Sequence, residues 1–160
     1  MKANDLLIQQ ATLGDPYAAH CLAWLISVAH LWDDLIDKDK VVSDSDVNQT
    51  FMALLTELPR NPWWLANSHQ LIPVIQMAVM NWHLATANER GKVDLPDEFS
   101  FICRSTYADL FGMAAMICGG EAHALDIAQK ARARFHAEGF VKYKEALKVE
   151  AEIRSKSDVR

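Results

Sequence analysis

A chain of 160 residues, 51% hydrophobic and 23% charged, is long enough to bury one core and reads as one globular domain. Its net charge of -5 is uneven: acids outnumber bases by more than two to one over residues 1–127, and bases exceed acids beyond residue 128. The acidic body argues against a phosphate-gripping surface, so nucleic acid is not an expected partner. The basic C-terminal stretch is interleaved with Glu and does not change that.

The N-terminus, "MKANDLLIQQ", has no apolar signal region. A first short helix is predicted over Asn4 to Leu13, ended by Gly14. "GDPY" then starts a second helix, with Asp15 as cap and Pro16 in the first turn, where its missing N–H costs nothing. This helix should run to about Asp37. It is apolar almost all the way round, which belongs in the middle of a bundle. Its apolar run, Tyr17 to Trp32, is too short for a membrane span of roughly 20 residues.

Ser43 or Ser45 can cap a third helix through about Glu57, and "LPRNPWW" breaks the chain. A fourth helix is expected from Ser68 to Glu89, with Pro73 tolerable only near its start. "RGKVDLPDE" connects to a helix over Glu98 to Cys118, stopped by Gly119-Gly120. The remainder, Glu121 to about Ser155, is helical with a break near Gly139. No stretch alternates as a half-buried strand does. The expected fold is all-α, one compact bundle of about six or seven helices over residues 1–160. Cys21, Cys103 and Cys118 are scattered without CxxC spacing, which reads as reduced thiols in a cytoplasmic protein.

The end of the second helix carries the chemistry. In "HLWDDLID", Asp33, Asp37 and Asp34 fall at relative angles of roughly 0°, 40° and 100°, with His30 at about 60°. Asp33 continues the core-facing track Leu22–Ile26–Ala29. Three carboxylates on one face repel one another, and a helix C-terminus favours cations. Such a cluster needs a divalent metal, Arg or Lys, or shared protons. All-oxygen donors suit Mg²⁺ or Mn²⁺. Adding His30 would tilt the choice toward Mn²⁺, iron or zinc. The competing structural reading is a helix emerging into solvent, its acids interleaved with Lys38 and Lys40.

"DDLID" has the form DDxxD and resembles the first aspartate-rich motif of isoprenyl diphosphate synthases and related terpenoid synthases. "TYADLFGMAAMICGG" is loosely similar to the small-residue helix of squalene and phytoene synthases. The resemblance implies a terpenoid-synthase-like bundle and a Mg²⁺ (or Mn²⁺) site on Asp33, Asp34 and Asp37 that holds a substrate diphosphate. No second DDxxD or NSE-type motif exists. A second wall would then come from His30, Glu89 and Asp109, or from the other copy of a homodimer. Arg104, Lys38 and Tyr107 are the candidates for phosphate contact. The chain as a whole is also similar to small uncharacterised proteins of tailed bacteriophages and prophages, which implies no mechanism.

Elsewhere the sequence gives structural readings. Asn81, His83, Asn88 and Glu89 form a polar line near a helix end. Asp109 could pair with Arg104 or another base. The five tryptophans and six methionines read first as core, and are also consistent with a large apolar cavity. No GxSxG, Walker, GxGxxG or HExxH pattern is present, and the lone His and Cys residues suggest no nucleophile–base pair. The leading expectation is a metal-dependent protein binding or acting on a diphosphate-bearing small molecule. The alternatives are a non-enzymatic phage or prophage interaction protein with a degenerate bundle, and an all-α nucleotide pyrophosphohydrolase, whose ExxE…ExxD spacing is missing.

Overall fold

A computed structural model describes residues 3–38 and 40–157. The described chain is helical almost throughout and contains no strand. The helices are α1 (Ala3–Ala11), α2 (Pro16–Asp37), α3 (Asp44–Met52), α4 (Pro62–Glu89), α5 (Asp97–Cys103), α6 (Asp109–Phe135) and α7 (Gly139–Ser157). None of them is long and apolar enough to cross a membrane.

Local chemistry fixes the starts. Asp15 Oδ1 accepts from the Tyr17 and Ala18 amides, both at 2.9 Å, with Pro16 opening α2. Ser43 Oγ caps α3 through Asp46 N at 3.1 Å. Each such cap is worth about 1 kcal/mol. Asn61 does two jobs: its Oδ1 accepts from Trp64 N at 3.0 Å, and its Nδ2 donates to Tyr17 O at 2.9 Å. That bond ties the start of α4 to the start of α2. At the other end Arg90, just past α4, reaches Asp37, the last residue of α2. The two helices therefore run parallel, and their C-terminal ends meet.

Two boundaries differ from the sequence expectation. The fourth helix begins at Pro62 instead of Ser68, because Asn61 caps and Pro62 is tolerated at the first position. Pro73 consequently lies well inside α4. The expected helix over Glu98 to Cys118 is broken between Cys103 and Asp109 by a tight turn and a short 3-10 turn, Thr106–Ala108. There Ser105 and Thr106 turn their hydroxyls back to the carbonyls of Ile102 and Cys103, at 3.1 and 2.9 Å. Such local bonds compete with helix continuation. The Gly119-Gly120 pair interrupts the helical path where expected: Gly120 takes a non-helical φ of 78° and ψ of -173°, so that α6 is two helical segments joined directly at a kink. The break at Gly139 (φ 73°) falls where expected.

The core is built chiefly from α6 and the first half of α2. Phe111, Ala114, Ala115 and Ala131 are fully inaccessible, and Leu22 and Ile127 are 1% exposed. Leu7, Ile8 and Ala11 of α1 and Leu71 of α4 join them. Ala11 of α1 is likewise inaccessible, and His123 of α6 reaches its carbonyl at 3.3 Å. The second half of α2 leaves the core: Trp32, Leu35 and Ile36 are exposed. The acidic end of α2 thus projects from the core toward the ends of α4 and α5.

Candidate functional site

Arg104 occupies the centre of the acidic cluster. It follows directly after α5, at the break in the expected helix. Its Nη2 lies 2.9 Å from Asp33 Oδ1 and 2.5 Å from Asp37 Oδ2, and its Nη1 lies 2.8 Å from Glu89 Oε2. Arg90 adds a second guanidinium, 3.2 Å from Asp37 Oδ1. The same Arg90 Nη2 donates to Ile36 O at 3.2 Å, one of the carbonyls that the end of α2 leaves without an intrahelical partner. Trp82 donates its indole N–H to Asp33 Oδ1 at 2.8 Å, and Tyr143 of α7 donates its hydroxyl to Glu89 Oε1.

Three carboxylates therefore face two guanidiniums. The side chains of Asp37 and Glu89 are 4% and 3% exposed, so their partners are obligatory. Burial pushes the Glu89 carboxyl above the usual carboxylate range; Arg104 and Tyr143 oppose the shift and Asp37 reinforces it. Burial would lower the Arg104 guanidinium, but Glu89, Asp33 and Asp37 outweigh it and hold the side chain firmly cationic. Burial and Glu89 together lift the Tyr143 phenol far above its ordinary range, so it stays protonated.

The expected site residues are distributed as follows. Asp33, Asp37, Glu89 and Arg104 converge. Asp34 points to the outer side, 2.8 Å from Lys40. Lys38 is exposed and ends α2 in a left-handed conformation (φ 56°). Asp109 lies apart, 2.5 Å from Arg132 on the surface. His30 packs edge-on against Tyr107, ring centroids 5.8 Å apart. Burial lowers its pKa below the ordinary value, against the opposing pull of Asp33 and Asp34. Asn88 is a structural pin, donating to Ser100 Oγ at 2.9 Å and accepting from Leu95 N at 2.8 Å. Among the described residues no group of His, Cys, Asp and Glu is arranged to hold a metal ion. Cys21 is buried, and burial pushes its thiol up to about 12.

Beside this cluster lies a cavity of about 360 Å³. Asp33 and Arg104 form part of its wall, so the cluster and the cavity share two side chains. The remaining wall is largely apolar, drawn from α2 (Leu25, Val28), α4 (Ile75, Val79), α6 (Leu110, Phe135) and α7 (Ala146, Leu147). Its size lies within the usual range for small-molecule sites, about 300–1,000 Å³.

No family model, curated protein or solved structure matches this chain. The site's chemistry therefore rests on its own geometry.

Sequence reasoning missed Arg90, Trp82 and Tyr143 as members of the cluster. Arg90 had a visible signal, a base directly beside Glu89 at a helix end. The other two had none, since Trp82 reads as core and Tyr143 belongs to a separate helix. One pairing was also unforeseen: Ser105 Oγ lies 2.8 Å from His136 Nε2. The Ser105 hydroxyl also reaches Ile102 O, and His136 Nδ1 is buried without a partner. Among the described residues no hydrogen-bonding group orients this imidazole from its other nitrogen, and Phe101 packs against the ring at 4.7 Å, so the pair reads as a pin between the turn before α6 and its C-terminus.

Proposed function

We propose that this chain is a small-molecule-binding protein whose ligand places an apolar body in the cavity and a polar head against Asp33. The observation that carries the reading is the sharing of Asp33 and Arg104 between an apolar cavity and an ion-pair cluster. Apolar pockets with a few convergent polar groups are where small ligands bind.

The narrower reading from the sequence, a diphosphate held by Mg²⁺ or Mn²⁺, places the metal on Asp33, Asp34 and Asp37. Its support is that the first aspartate of the DDxxD motif lines the cavity. It requires the metal to displace Arg104, Arg90 and Lys40 from those carboxylates.

Thermal melting separates the readings, because a ligand that binds only the native state raises the melting temperature by mass action. Small aromatic and aliphatic compounds should stabilise the wild type. Ala78→Trp, which places an indole into the cavity wall, should lose that response while remaining folded. If no compound shifts the wild type, the cavity reading fails. A rise of several degrees with Mg²⁺ or Mn²⁺ over EDTA, enlarged by pyrophosphate and lost in Asp33→Asn/Asp37→Asn, would establish the narrower reading.

A further inference from the structure

The cavity wall carries an unbalanced set of charges. Its carboxylates are Asp33 and Glu138, and its one guanidinium is Arg104. Arg104 is already committed: Nη1 serves Glu89, and Nη2 serves Asp33 and Asp37. An anionic head would find no cation in the wall that is not already engaged by carboxylates. His30 also lines the cavity, and burial keeps its imidazole from gaining charge near neutral pH.

Asp33 is in the opposite position. The indole of Trp82 and the guanidinium of Arg104 both bond to Oδ1. Among the described residues Oδ2 receives no hydrogen bond, and the side chain is 38% exposed. The same cavity is rich in aromatic side chains: Trp32, Trp82, Phe101, Tyr107, Phe135 and Tyr143 all line it. Trp32 and Trp82 stand with ring centroids 6.3 Å apart, one adjacent to Asp33 in sequence and the other bonded to it. Tyr107 stays a neutral phenol, its pKa pushed up to about 12 by burial and Asp33. An exposed carboxylate oxygen beside aromatic faces is the chemistry that recognises an organic ammonium.

From this we infer that the cavity selects an organic cation: an amine or quaternary ammonium with an apolar, ring- or chain-bearing body. The ammonium meets Asp33 Oδ2 and the adjacent aromatic faces, and the body fills the apolar wall. The inference rests on the cavity reading above and adds the sign of the head group.

Three probes with one body test it: phenylbutylamine, phenylbutanol and phenylbutyrate, titrated by calorimetry and by quenching of tryptophan fluorescence. The amine should bind at least tenfold tighter than the alcohol, and the carboxylate weakest. Asp33→Asn should remove most of the amine's advantage and leave the alcohol unchanged. Because Asp33 also holds Arg104, Glu138→Gln is the second variant: Glu138 is exposed and outside the ion-pair cluster. It should weaken the amine several-fold and spare the alcohol. Equal binding of the three probes, or tighter binding of the carboxylate, would overturn the inference and leave the cavity reading standing. Binding of none would overturn both.

Discussion

Arg104 is the residue on which the cluster depends. It is the shared partner of two nearly inaccessible carboxylates and a third that opens onto the cavity. Arg104→Met keeps the length of the side chain and removes the charge. Buried Asp37 and Glu89 would then be under-compensated, and removing one partner of a buried ion pair costs about 3–5 kcal/mol. Urea denaturation at neutral pH should show a loss of that size. Asp37→Asn in the Arg104→Met background should recover part of it, because the two changes act within one network.

Glu89 makes a separate prediction from its raised pKa. A carboxyl whose folded pKa lies above its unfolded value binds its proton more readily in the native state. Its contribution to stability is fully present below the unfolded pKa and is lost as pH rises through the folded one. The stability of the wild type relative to Glu89→Gln should therefore fall as pH is raised from about 4.3. Parallel pH-stability curves for the two proteins would refute the burial-driven shift. Of this residue-scale arrangement the sequence showed the need for compensation, since acids at a helix C-terminus demand cations. It did not show that arginines from α5 and the end of α4 would supply them, because spacing within a helix says nothing about which other helix ends arrive beside it.

Among the elements, α6 is the most informative. The Gly-Gly pair interrupts the helix at Gly120, and the segment beyond the kink keeps Ala124, Ile127 and Ala131 in the core. Gly120 sits in a backbone region open almost only to glycine, and nothing lies within 4 Å of where its Cβ would be. The cost of Gly120→Ala is therefore backbone strain alone, about 1–3 kcal/mol. Gly119 has the complementary constraint: an added Cβ would meet the His123 ring at 2.6 Å. His123 reaches Ala11 O at 3.3 Å, so Gly119→Ala should disturb the seam with α1 as well as local packing. Thermal unfolding of both variants, read beside Gly112→Ala, where the nearest atom is 3.6 Å away, separates strain from crowding. Helix content and most starts were legible because Asp15, Ser43 and Pro16 act locally. The break at Ser105 was not, because it depends on hydroxyl-to-carbonyl bonds that compete on nearly equal terms with the helix.

At the scale of the whole molecule, the all-helical class followed from apolar periodicity, while the cavity did not. Its wall draws on α2, α4, α5, α6, α7 and the turn before α6, and no segment read alone implies an opening between them. The same limit applies to the parallel pairing of α2 and α4, tied by the Asn61–Tyr17 bond at one end and by the bonds of Arg90 to Ile36 and Asp37 at the other. The last helix adds a further wall. Tyr143, Ala146 and Leu147 are wall residues on α7. That helix is held by the Tyr143–Glu89 bond, the Phe101–Phe140–Tyr143 ring cluster and the exposed Lys144–Asp97 pair at 2.8 Å. A molecule inside the cavity would lean on α7 through Tyr143, Ala146 and Leu147. Occupancy would therefore be recorded in the motion of that helix: its amides would exchange with deuterium more slowly when the cavity is filled.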